Sequence, residues 1–225
     1  TWGGVRIGAM YCYKADYLPT DFVRTILDLL ENKTKLKGVQ GKEVEYLNSK
    51  EMLNSCYGMC VTNPLRDEFV YEVKWDENIL TDTEKAEMLK KYNESKNRFL
   101  YYPWGVFVTA YARRNLFTAI YDAKQDYIYS DTDSIKLTNA AAHKRYFDMY
   151  NNVVYNKLKA ACRHHNIDFA KCEPETIKGA TKTLGVWDYE GTYKRFKTLG
   201  AKRYMVQEEN ALNVGGKSYE YNLTI

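Results

Sequence analysis

The sequence has 225 residues, 45% of them hydrophobic and 28% charged. That composition builds a core and excludes a disordered chain; with no apolar run near the ~20 residues of a bilayer span and no basic-then-apolar leader, a membrane or secreted protein is not expected. Lys+Arg 33 against Asp+Glu 29 leaves +4, an excess too small to mark a nucleic-acid partner unless it is clustered, and five cysteines without a secretory context point to reduced thiols in a cytoplasmic setting.

In chain order, Val5 to Tyr17 is rich in β-branched and aromatic residues and reads as a strand. Pro19, Thr20 and Asp21 signal a helix start, and Phe22, Val23, Ile26, Leu27 and Leu30 follow at helical spacing. Gly38 and Gly41 break that helix, with Lys33, Lys35, Lys37 and Lys42 around the break. A second helix is predicted from about Glu43 to Met59, giving an antiparallel helix pair with a basic tip. Asn63-Pro64 is a stop signal. From Leu65 to Tyr102 the chain is charged and poor in aliphatics, as in an insertion, and Thr81-Asp82-Thr83-Glu84 can cap a short exposed helix. Pro103 opens a further helix, which Phe107, Ala110, Tyr111, Phe117, Ile120 and Tyr121 mark as mostly buried. Asp126 to Leu137 places β-favouring residues around an acidic centre, a hairpin signal. A helix from Ala141 to about His164 follows, with Tyr146, Val153, Val154, Leu158 and Ala161 on its apolar side. The remainder alternates between glycines and reads as strands. The order implies an α+β protein without internal repeats. The 21 tyrosines are spread over every segment and read mainly as packing residues.

Three features carry chemistry. In Tyr129-Ser-Asp131-Thr132-Asp133-Ser134, two carboxylates one residue apart at a hairpin tip can converge on Mg²⁺, which favours carboxylate oxygens. Two such ions can stabilise an in-line phosphoryl transfer; Asp and Ser are equally ordinary turn residues. Lys50, Asn54 and Tyr57 recur at i, i+4 and i+7 and so share a helix face able to meet a triphosphate, a base edge and a sugar, although an amphipathic helix with a solvated Lys reads the same way. Tyr193-Lys194-Arg195-Phe196-Lys197 and Ala201-Lys202-Arg203-Tyr204 interleave basic and aromatic residues, which suits phosphates and stacking but also a solvated strand. Cys162, His164, His165 and Cys172 match no common zinc spacing. Cys56 and Cys60, at i and i+4, read as small core residues.

Together and in this order the three features resemble family B DNA polymerases. Lys50-x-x-x-Asn54-Ser-x-Tyr57-Gly58 is similar to their motif B, Tyr129-x-Asp131-Thr132-Asp133-Ser134 to motif C, and Lys202-x-Tyr204 to the Lys-x-Tyr motif at the primer terminus. The protein-primed phage and linear-plasmid replicases look nearest, through Leu53-Asn-Ser-x-Tyr-Gly with Asn63-Pro64, Pro103-x-Gly105-Val-Phe-x-Thr-Ala110-x-Ala112-Arg113, and Leu184-Gly185-x-Trp187-x-x-Glu190-x-Thr192-x-Lys194-Arg195.

The resemblance implies a fragment of a right-handed polymerase. Residues 1–18 would be a palm-edge strand, 19–62 two-helix fingers, 63–102 the insertion that encloses DNA, and 103–225 part of the antiparallel-sheet palm. It implies that Asp131 and Asp133 serve two Mg²⁺ ions, one binding metal directly and the other placed beside it, with Tyr129, Thr132 and Ser134 as their flank. Lys50 would contact the phosphates of the incoming dNTP, and Asn54 and Tyr57 would line its pocket. Lys33 lies near a further phosphate-binding position. Lys202 and Tyr204 would hold the primer end, with Arg203, Lys194 and Arg195 beside the DNA; Trp187 and Glu190 would be structural support. The implied partners are DNA template-primer, dNTPs and a terminal priming protein. Motif A, an Asp-x-x-Ser-Leu-Tyr-Pro pattern, is absent from the sequence, as are the exonuclease carboxylates and a thumb. Only half of a two-metal site is therefore expected, and the isolated chain is expected to be catalytically silent. Beside this enzyme reading stand a non-catalytic nucleic-acid-binding module, split or decayed from a polymerase, and a basic domain that binds a protein partner.

Overall fold

Helix α1 (Thr20–Leu36) turns Leu27, Leu30 and Thr34 inward at the spacing one helix face requires. The buried Thr34 hydroxyl donates to the Leu30 carbonyl at 2.8 Å, so no polar group is orphaned there. Asp21 in the first turn and Lys33 and Lys35 in the last suit the helix dipole. Gly38 and Gly41, at φ +80° and +78°, turn the chain into α2 (Glu43–Val61). The connection is short and the two helices are in contact, which sets them antiparallel, as expected. The computed structural model describes residues 4, 8–10, 12, 14, 16–65, 68–71, 75–78, 80–96, 98, 101–208 and 218–223. The strand expected over Val5–Tyr17 falls largely outside the described residues, and Gly8, Ala9, Met10, Cys12 and Lys14 lie in no strand.

Strands β1 (Glu68–Tyr71) and β2 (Trp75–Asn78) form a separate antiparallel hairpin. It was not expected from the charged composition of the stretch, although Phe69, Val70, Tyr71 and Trp75 carry the β signal. Helix α3 (Asp82–Glu94) is closed by the predicted capping box, Thr81 and Glu84 satisfying each other's backbone N–H groups, and none of its described residues is buried.

Helix α4 (Tyr102–Ala123) begins at Pro103 as predicted but corrects the expected face. Its buried residues are Gly105, Ala119 and Ala123. Phe107 and Tyr111 are exposed, and Phe117 and Tyr121 are 63% and 82% exposed. Small residues let α4 approach its neighbours closely: a Cβ on Gly105 would stand 2.2 Å from Val61 Cγ1 of α2.

Strands β3 (Tyr127–Asp131) and β4 (Ser134–Thr138) form the predicted hairpin. They join β5 (Trp187–Gly200), β6 (Arg203–Glu208) and β7 (Ser218–Leu223) in an antiparallel sheet of order β3-β4-β7-β5-β6. Helix α5 (Ala140–His165) covers one face. Ile135 and Leu137 of β4 point into a core with Ala119, Ala123, Phe147 and Trp187. On α5 the buried apolar residues include Phe147 and Cys162, while Val153, placed on the apolar side by spacing, is exposed. Asn151 brackets the Trp187 backbone with two 2.8 Å hydrogen bonds, one accepted from its N–H and one donated to its carbonyl. A second cluster joins Leu27 and Leu30 to Cys162 and Cys172, so α1 is anchored on the end of α5 and on the short 3₁₀ turn Phe169–Cys172. Residues 166–186 hold that turn and one isolated bridge, Glu175 to Thr181, rather than the strands expected there. The class is mixed α+β. Among the described residues, no helix is long and apolar enough to cross a membrane.

The sheet is strongly curled. β3 and β6 lie four strand steps apart, about 19 Å in a flat sheet. Yet the Lys202 backbone N–H, in the β5–β6 turn, donates to the Tyr129 hydroxyl of β3 at 2.9 Å. Register shifts between Tyr189 and Gly191, Tyr193 and Arg195, and Thr198 and Gly200 put bulges into β5, and bulges bend and twist a strand.

Candidate active site

The curl gathers the acidic hairpin and the basic turn at one place. Asp131 pairs across the hairpin with Ser134, leaving Thr132 and Asp133 as the turn. Thr132 adopts φ +53°, the left-handed conformation of a tight hairpin turn. The Asp133 N–H donates to the Asp131 carbonyl at 2.7 Å, and the buried Ser134 hydroxyl donates to the same oxygen at 3.1 Å. These bonds fix both carboxylates at the tip without using them.

The two carboxylates have opposite surroundings. Lys202 Nζ lies 3.2 Å from Asp131 Oδ1, and the Thr132 hydroxyl donates to the same oxygen at 3.0 Å. Lys202, then Thr132 and, at longer range, Lys136 hold the Asp131 carboxyl below its ordinary value. Asp133 is half-buried, and burial pushes its carboxyl up, helped by the like charges of Glu190 and Asp131 and opposed by Lys33. Lys33 is half-buried in turn. Burial first, and then the charges of Lys37 and Lys50, push its ammonium down, while Asp133 acts the other way. Lys33 of α1 thus sits between the half-buried Asp133 carboxylate and a second lysine, Lys50 of α2.

Of the residues singled out in the sequence, the structure brings Asp131, Asp133, Tyr129, Lys33, Lys202 and Tyr204 into one neighbourhood, with Lys50 near Lys33. Tyr204 lies with its ring centroid 5.4 Å from that of Tyr129. Asn54 and Tyr57 are exposed along α2, on the face that spacing gives to Lys50. Arg203 is exposed next to Lys202, its carbonyl accepting from the Thr198 hydroxyl at 3.3 Å. Lys194 and Arg195 sit at the far end of the β5–β6 ladder from the Lys202 turn, so they do not join the hairpin. Lys136 escaped the sequence analysis, and Glu190 and Phe196 stand in places that it did not give them. Glu190, read as support, adds its charge beside Asp133. Lys136 and Phe196 pack under the hairpin. No local signal marked Lys136: alternation places it with Ser134 on the strand face opposite the Ile135 and Leu137 core, where a lysine is ordinarily solvated.

Among the described residues no three His, Cys, Asp or Glu side chains group as a metal site. Asp131 and Asp133 supply two hard oxygen donors, and at Asp133 burial and like charge disfavour an unpaired carboxylate; such a donor set suits a hard divalent cation. The Cys162–His164–His165–Cys172 group does not converge. The two sulfurs lie 3.4 Å apart, with burial pushing the Cys172 thiol up to about 12, while His164 stacks on Tyr17 and His165 Nδ1 shares a 2.9 Å hydrogen bond with the Thr20 hydroxyl. Cys60 is buried against Val61 and α4, with its thiol donating to the Cys56 carbonyl.

The chain is similar to the DNA polymerase of Bacillus phage PZA, 29% identical over 195 residues, covering 86% of this chain and 27% of the relative. The DNA polymerase of Bacillus phage phi29 matches with the same identity and coverage. That of Bacillus phage Nf is 32% identical over 174 residues, 76% of this chain and 23% of the relative. The chain therefore spans about a quarter of the length of the curated relatives it matches. No family model and no solved structure matches it.

Proposed function

We propose that this homologue of phage DNA polymerases is the fingers and C-terminal palm portion of a protein-primed family B DNA polymerase. In that reading residues 19–62 are the fingers, 63–102 the insertion and 103–225 the palm, with 1–18 a segment at the palm's edge. The observation that carries the reading is that Lys33 of the helix pair, with Lys50 close enough to act on it, faces Asp133 of the sheet hairpin, while Lys202 pairs with Asp131. A triphosphate placed between them meets cations on the helix side and carboxylates on the sheet side, the polarity that phosphoryl transfer to a primer 3′ hydroxyl requires.

Asp131 and Asp133 would hold Mg²⁺, which when bound neutralises phosphate charge and lowers the barrier for the attacking oxygen. Lys50 and Lys33 orient the dNTP phosphates. Asn54 and Tyr57 frame the nucleotide along the exposed face of α2. Lys202 and Tyr204 hold the primer end, and Arg203 extends that contact. DNA template-primer, dNTPs and a terminal protein are the partners in this proposal. The isolated 225-residue chain lacks a motif A carboxylate and is silent in primer extension.

Asp131→Asn in the full-length protein tests the assignment. Templated extension falls by at least roughly 100-fold while primer–template binding is retained. Near wild-type extension by that variant would sink the motif C assignment.

A further inference from the structure

Lys136 is completely buried, at 0% exposure, in the middle of β4. Strand alternation turns Ile135 and Leu137 into the core and Lys136 to the opposite face. Its cross-strand partner there is Tyr129 of β3. The curl of the sheet brings Phe196 of β5 and Tyr204 of β6 over the same point. The Lys136 ammonium lies 4.8 Å from the Tyr204 ring centroid, 5.8 Å from that of Tyr129 and 6.0 Å from that of Phe196. The three rings lie 5.4 Å from one another, pair by pair. A buried cation facing three aromatic rings is attracted by each ring quadrupole, most strongly where water is excluded.

Two of those rings belong to the site. The Tyr129 hydroxyl accepts from the Lys202 N–H, and Lys202 Nζ reaches Asp131. Tyr204 is half-exposed one residue beyond Arg203, with one ring side toward Lys136 and the rest toward solvent. Lys136 therefore stands behind the primer-side residues without touching the place a substrate would occupy.

We propose that Lys136 is a positioning residue: its buried ammonium pins the Tyr129, Phe196 and Tyr204 rings together and thereby fixes Lys202 and Tyr204 for the primer terminus. The inference rests on the polymerase reading of Asp131, Lys202 and Tyr204. Its ligand-side consequence is selective. The nucleotide-side residues Lys33 and Lys50 hang on α1 and α2, so losing the pin weakens the hold on the primer end and leaves the nucleotide site alone.

The test is steady-state primer extension by the full-length protein carrying Lys136→Met, which keeps side-chain length without the charge. The KM for primer–template rises roughly tenfold, while the KM for dNTP and the unfolding midpoint stay within about twofold and a few degrees of wild type. Lys136→Arg restores the primer–template KM to within about threefold. An unchanged primer–template KM, or an equal rise in both KM values, overturns the proposal. If Lys136→Met does not fold, Phe196→Leu keeps the lysine and removes one ring. It must raise the primer–template KM alone, and no effect there overturns the proposal equally. Asp131→Asn run alongside separates the two levels. Extension surviving that change sinks the polymerase reading, whereas its loss beside a silent Lys136→Met sinks only the role of Lys136.

Discussion

Asp131 and Asp133 are separated by one residue and differ in everything that sets a charge. Asp131 is held ionised by Lys202 and Thr132, and Asp133 is pushed toward its neutral form by burial and by Glu190. A carboxyl whose folded pKa exceeds its unfolded value binds more protons folded than unfolded, so stability falls as pH rises through that interval. At neutral pH Asp133 is therefore a net burden on the fold, as residues kept for function often are. Asp133→Asn is expected to raise the thermal unfolding midpoint of the chain at pH 7 by about 2 °C, and a calorimetric scan that shows a fall instead would contradict the assigned surroundings. The hairpin that carries the pair was legible in the sequence because everything that builds it is local: β-favouring flanks, a two-residue turn and hydroxyls that bond backbone two or three positions away. Lys136 was not legible. Nothing in Ser134-Ile135-Lys136-Leu137 says that a lysine is buried, because two of the three rings that cover it, Phe196 and Tyr204, arrive from strands some sixty residues further on.

Among the elements, α1 and α5 followed from apolar spacing, α2 from the breaks that bound it, and α3 from its capping box. Helix α4 shows where that reasoning fails. Its sequence is apolar almost all round, so periodicity could not choose a face. Packing chose the small side, Gly105, Ala119 and Ala123, and left the large aromatics outside. Closeness of backbones, rather than bulk of side chains, decides that contact. Gly105→Ala is expected to destabilise the chain by about 1–3 kcal/mol, because the added methyl meets Val61 and α2 must move away. Denaturant unfolding measures it, and an unchanged midpoint would mean that α2 and α4 do not pack as described.

For the whole molecule, a net charge of +4 hides a partition. Lys33, Lys202 and Arg203 gather around the acidic hairpin with Lys50 beside Lys33, while the pairs Lys144–Asp148 and Lys171–Asp28 neutralise each other elsewhere. If about four phosphates are neutralised at the site, affinity for a primer–template should drop roughly a hundredfold between about 50 and 200 mM salt. A fluorescence anisotropy titration that gave a flat response would speak against phosphate contacts and for a protein partner. The curled sheet also has a consequence for biogenesis. β7 follows β5 and β6 in the chain but lies between β4 and β5 in the sheet. While the polypeptide is being made, β4 and β5 can each find other partners, but neither can find its central neighbour until residues 218–223 have left the ribosome. Until then both strands, β4 with its apolar face, present open edges, which are templates for pairing with another nascent copy. Translation speed over the stretch just before β7 then sets how long this protein is exposed to aggregation and how much it leans on chaperones.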